Sequence, residues 1–178
     1  MIHERREIEA AMAERFDAVS AFIKAQPDEL FEKQVNERWT TGQELDHLVR
    51  SVKPLHLALS LPKLALGLRF GKCNHELRNY DGCVAVYKKA LAEGGKASGQ
   101  FVPPPVPLAK KAALLAEYDA CKQKLLQLIT KWDDKGLDTY VVPHPLIGKM
   151  TIREILMWTV YHNEHHLGSL QTHYGYEA

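Results

Sequence analysis

Leu114-Leu115-Ala116-Glu117-Tyr118-Asp119-Ala120-Cys121-Lys122-Gln123-Lys124-Leu125-Leu126-Gln127-Leu128-Ile129-Thr130-Lys131-Trp132 is the stretch whose reading decides the fold. Leu114, Tyr118, Cys121, Leu125, Leu128 and Trp132 follow one another at alternating steps of four and three. That spacing keeps them on one face of an α-helix for about five turns. A helix with so narrow an apolar stripe needs another helix to bury it.

Three further stretches supply candidates. Ile8, Met12, Phe16, Val19 and Ile23 recur at helical steps, and Pro27 sets the limit of that first helix. A second begins after Trp39, with Thr40 or Thr41 as N-cap and Gln43 or Glu44 reaching back, and carries Leu45, Leu48, Val52, Leu55 and Leu59 until Pro62. The Leu114–Trp132 helix is the third. Thr151-Ile152-Arg153-Glu154 opens the fourth as a capping box, with Met150 and Ile155 available as a hydrophobic staple, and that helix is predicted to run to about Leu170 and to end near Tyr174-Gly175. No run of alternating strand residues competes. The expected fold is all-α, a four-helix bundle in a single domain, residues 1–178.

Helices two and three are separated by a long crossover insertion, Lys63 to Pro107, with a short helical stretch near Val84 to Leu91, then Gly94-Gly95-Lys96-Ala97-Ser98-Gly99, then Pro103-Pro104-Pro105. A connection of that length lets helices two and three run parallel. Its glycines lack the spacing of a phosphate-binding loop, leaving a lid over a pocket or a solvated loop as its two readings.

The chain has 178 residues, 46% of them hydrophobic, enough for one core. Lys and Arg total 23 against 22 Asp and Glu, so no global positive field gathers nucleic acid or anionic lipid. The apolar region Leu55 to Leu68 is broken by His56, Ser60, Pro62 and Lys63 and falls short of the roughly 20 residues a membrane span needs. No secretory signal opens the sequence, and Cys73, Cys83 and Cys121 lack any C-x-x-C spacing, as reduced thiols would. A cytoplasmic location is the expectation.

Nine histidines are present, and four of them stand out by position: His47, His162, His165 and His166. His162 and His166 lie one turn apart and differ by about 40° around the helix axis, so both imidazoles can reach one ion. His165 falls on roughly the opposite side. His47 lies off the centre of the second helix's stripe, one turn beyond Glu44, where a helix edge can face its neighbour. Hydrogen-bonded structural histidines would satisfy the same positions. Glu44 and Asp46 can orient His47 or remain solvated. Glu164 does not occupy the glutamate position of an H-E-x-x-H zinc protease.

Trp39-Thr40-Thr41-Gly42-Gln43-Glu44-Leu45-Asp46-His47-Leu48, together with His144-Pro145, Gly148, Met150-Thr151 and His162-Asn163-Glu164-His165-His166-Leu167, resembles the DinB-like, YfiT-like four-helix superfamily over nearly the whole chain. In that family the first histidine and the H-x-x-x-H pair form a metal triad, which the resemblance carries over to His47, His162 and His166. The expected cofactor is a divalent transition metal, zinc or nickel ahead of iron. The resemblance implies a hydrolase, or a transferase or isomerase using a low-molecular-weight thiol, delivering metal-bound water or thiol to a small electrophile. The competing expectation is a non-enzymatic, dimeric metal- or small-ligand-binding bundle. Expected partners are a small-molecule substrate, a low-molecular-weight thiol and a second copy of the chain in a homodimer, with no nucleic acid and no membrane.

Overall fold

The computed structural model describes residues 2–175. Its long helices are α1 (Arg5–Ala25), α2 (Thr41–Ser60), α5 (Lys111–Ile129) and α7 (Ile152–Tyr174). Two helices of the crossover, α3 (Lys63–Phe70) and α4 (Tyr80–Ala92), separate α2 from α5. The short α6 (Asp134–Thr139) leads into a hairpin of β1 (Val141–His144) and β2 (Gly148–Thr151). α1 packs on α5 and α7, and α2 packs on the same two, so the four long helices close a ring in the order α1, α5, α2, α7. The predicted four-helix bundle is the fold, with the crossover between its second and third long helices.

The sequence stripes meet inside that ring. Ile8, Met12, Phe16, Val19 and Ile23 of α1 are buried, as are Leu45, Leu48, Val52, Leu55 and Leu59 of α2. Phe16 stacks on Tyr118 of α5 with ring centroids 4.7 Å apart. The Tyr118 hydroxyl donates to the Asn163 side-chain oxygen, and the Asn163 amide donates to the Thr159 carbonyl at 2.8 Å, so this buried polar pair is satisfied within the core. α5 stops at Ile129, three residues before the end of its stripe. Trp132 stays buried beyond the helix, its indole N–H donating to the Leu59 carbonyl at 3.4 Å.

Both predicted capping boxes form. The Thr40 hydroxyl accepts from Gln43 N and the Gln43 side chain answers to Thr40 N, which settles the start of α2. Thr151 and Glu154 do the same for α7, and Met150 and Ile155 are both buried beside that start. The first turn of α2 is placed by a close approach: a Cβ on Gly42 would stand 2.8 Å from the Phe31 ring, so only glycine lets that turn press onto Phe31.

The insertion is more ordered than the sequence reading had it. α3 occupies its first eight residues, and α4 starts at Tyr80, four residues ahead of the predicted Val84, because the Asn79 side chain accepts from Gly82 N and caps it. Glu154 fixes this cap to the bundle: its buried carboxylate accepts from Arg78 N at 2.9 Å, the Arg78 guanidinium at 3.2 Å and His75 Nε2 at 3.1 Å. α4 then lies along α7. The small hairpin also went unread, since Val141-Val142-Pro143-His144 has too few residues to display an alternation.

Candidate metal centre

His47 enters from α2, and His162 and His166 from α7, where the two helices face each other. All three are buried, and one ligand nitrogen from each can be chosen so that all lie within 4.8 Å of one another. His162 Nε2 is central, 3.2 Å from His47 Nε2 and 3.0 Å from His166 Nε2. Metal–nitrogen bonds of about 2.0–2.1 Å at tetrahedral angles hold donor nitrogens roughly 3.3 Å apart, close to both separations.

The outer nitrogens decide which inner ones are free. His47 Nδ1 donates to the Phe101 carbonyl at 2.7 Å, and His166 Nδ1 donates to the Glu44 carboxylate. Each bond places the proton on Nδ1 and leaves the Nε2 lone pair aimed at His162. His162 can answer at most one of the two with an Nε2–H. A bound cation would satisfy all three lone pairs at once, so the donor set fits a divalent transition ion. Burial pushes His47 down to about 4 and His162 well below the ordinary imidazole value, with the neighbouring histidines adding to both shifts, which keeps these two imidazoles neutral as ligands.

Glu44 is not a solvated carboxylate, and its partner is His166, not His47. The helix ring brings Glu44, in the first turn of α2, against the last turns of α7, where Ser169 Oγ also donates to it at 3.4 Å. Asp46 is paired instead with Arg50 at 2.6 Å. Glu164 is exposed and bridges to Arg15 at 3.4 Å. His165 stands outside the triad. It is only half turned to solvent, though, with its ring 6.0 Å from Tyr87 of α4, because α4 covers that side of α7.

A cavity of about 620 Å³ opens beside the triad, with His47 and His162 in its wall. Its volume lies within the usual range for small-molecule sites. Leu55, Leu91, Val142 and Ile155 make it largely apolar, and the crossover closes one side through Lys96 to Ser98 and Phe101. The glycine-rich segment is therefore part of the site's wall, and Phe101, two residues beyond it, supplies the carbonyl that orients His47. Tyr87, His144 and Trp158 line the same space and were not singled out from the sequence. Only the His144-Pro145 pair, quoted for the family resemblance, pointed toward them.

The DinB superfamily profile matches residues 9–170, and the chain belongs to that superfamily. Among solved structures it is similar to YfiT from Bacillus subtilis, described as a probable metal-dependent hydrolase with an unusual four-helix bundle topology. The two are 18% identical, the match covers 97% of this chain and 89% of that one, and the TM-score is 0.61, so a fold is shared. No curated protein matches.

Proposed function

We propose that this chain is a metal-dependent enzyme of the hydrolase or low-molecular-weight-thiol transferase type, acting on a small electrophile in the cavity beside His47, His162 and His166. The observation that carries the reading is the convergence of three imidazole nitrogens, two of them held in the ligating tautomer, on the wall of a small-molecule-sized cavity. An ion held by three neutral histidines keeps coordination positions open and supplies Lewis acidity, which makes water or a thiol nucleophilic near neutral pH. The chain's own part is to orient the ligands through Phe101 and Glu44 and to desolvate the substrate against Leu55, Leu91 and Ile155. Arg69 and Lys96 border the cavity with no acidic side chain among its lining, which favours a substrate or thiol carrying an anionic group.

A binding protein without turnover is the second reading, favoured by that same lack of a carboxylate in the lining, since Glu44 is already committed to His166. Elemental analysis of untagged protein comes first; substoichiometric transition metal after reconstitution removes the metal reading. Metal-loaded protein is then assayed on simple esters and amides, and on bacterial thiols paired with electrophiles. Metal-dependent turnover supports the enzyme, and its absence throughout supports the binding protein.

We further propose a cytoplasmic homodimer. Three unpaired cysteines suit a reducing compartment, and Leu57, Leu64 and Leu68 stand 68%, 75% and 81% exposed on α2 and α3, where a second copy would cover them.

A further inference from the structure

Tyr87 and His144 line the cavity, and each carries a hydrogen-bond donor without an acceptor among the described residues. The His144 imidazole is buried in the hairpin, and its Nδ1 accepts from the backbone N–H groups of Leu146 and Ile147, each at 3.2 Å. A nitrogen that accepts two N–H bonds carries no proton, so the ring is neutral and its single proton sits on Nε2. That Nε2–H has no acceptor among the described residues, and neither has the Tyr87 hydroxyl. Both groups line the cavity, with ring centroids 6.1 Å apart. Burial also holds His144 down at about 4, in keeping with a neutral ring.

We propose that Tyr87 and His144 form a two-donor anchor for the carbonyl oxygen of the substrate, placed one indole ring away from the histidine triad. Trp158 is that ring: its centroid is 4.4 Å from His144 on one side and 4.4 Å from His162 on the other. A carbonyl held by the pair lies within the same cavity wall as His47 and His162. Neutral donors fixed in an apolar cavity stabilise an oxygen that gains negative charge more than one that does not, and this is the requirement of acyl transfer and of addition to a carbonyl. The substrate class is thereby narrowed to carbonyl electrophiles such as esters, amides or activated ketones. The inference rests on the reading that the cavity receives an electrophile, but the two donors belong to the chain and act without the ion.

The test compares the affinity of propiophenone with that of propylbenzene, its analogue lacking the carbonyl, for EDTA-treated and for zinc-loaded protein, and records the infrared carbonyl stretch of the bound ketone. The wild-type protein should prefer the ketone by about three- to tenfold, as one or two neutral hydrogen bonds provide, with the stretch shifted to lower frequency. Tyr87→Phe and His144→Asn should each remove most of that preference and part of the shift, while propylbenzene binding, which reports an intact cavity, stays within about twofold. The asparagine retains a short acceptor for the Leu146 and Ile147 N–H groups and cannot reach as far as Nε2, so it separates the anchor from the turn. His144→Gln, which restores a donor at that reach, should recover the preference. Lack of ketone preference in the wild type, or an undiminished preference in both Tyr87→Phe and His144→Asn, overturns the proposal. A preference that vanishes with EDTA and ignores both substitutions also overturns it, assigning the anchor to the ion. A donor-dependent preference in protein that takes up no metal would sustain the anchor while removing the metal reading.

Discussion

Single side chains carry the proposed metal centre, and their directions differ more than their composition. His47→Ala, His162→Ala and His166→Ala each remove one of three ligands and should abolish stoichiometric metal binding, whereas His165→Ala, with its ring directed toward Tyr87, should leave it in place. Elemental analysis after gel filtration makes the comparison, and a folded His165→Ala protein lacking metal, beside a His166→Ala protein that keeps it, would mean that the pair is spaced i, i+3. Glu44→Gln leaves the triad complete but weakens the acceptor that holds His166 Nδ1–H, so metal affinity should fall ~10–100-fold by competition with a chelator. The His-x-x-x-His pair was legible because its spacing is local. Glu44 stood out only as a candidate to orient His47; its pairing with His166 was not legible, since the two lie 122 residues apart and only packing brings them together. A third expectation concerns protons. His144 titrates at about 4 when folded against 6.5 for an ordinary imidazole, so between those values the unfolded chain binds a proton that the folded chain excludes. Its contribution is fully present above about pH 6.5 and is lost as pH falls toward 4, on the order of 3 kcal/mol in total. Urea denaturation of metal-free protein should show this acid slope added to those of His47 and His162, and His144→Asn should reduce it without removing it.

Elements set where these side chains stand. The α7 N-terminus is held by Thr151, whose hydroxyl accepts from Glu154 N at 3.1 Å, and Glu154 in turn holds the loop that starts α4. Thr151→Ala should cost about 1 kcal/mol, the usual worth of an N-cap. Glu154→Ala should cost about 3 kcal/mol, because it leaves Arg78 and the Arg78 N–H without their acceptor. Equal losses from the two substitutions in chemical denaturation would argue that Glu154 serves only the cap. The four-residue signature Thr-x-x-Glu was readable in the sequence, as was Thr40-x-x-Gln43, because a capping box is a contact between near neighbours. The start of α4 was readable in part: Asn79 is an ordinary N-cap residue, but its helix shows only Cys83 and Tyr87 buried, too few to trace a stripe.

At the scale of the molecule, the ring of α1, α5, α2 and α7 encloses one continuous apolar cluster running from Ile8 to Tyr174. That cluster exists without the metal triad, so chelation should leave the helical circular dichroism intact while lowering the thermal midpoint only as far as the lost binding free energy dictates. Loss of helix on chelation would instead make the ion structural. Light scattering at micromolar concentration should give twice the 20.2 kDa chain mass, and a mass near 20.2 kDa would count against the dimer. Among the described residues no helix is long and apolar enough to cross a membrane.

The sequence by itself determined the four long helices, their inward faces and two of their caps, because helical periodicity and capping act over three or four residues and leave their mark in local spacing. It also determined that His162 and His166 could share an ion. The family resemblance names His47 as the third candidate; the tertiary structure alone decided that its Nε2 faces His162, that Phe101 and Glu44 fix the tautomers, and that the crossover walls the cavity with Tyr87 while the hairpin brings His144 to it. Those contacts join residues separated by more than fifty positions, and no local pattern records which helix edges will meet once the apolar stripes have packed.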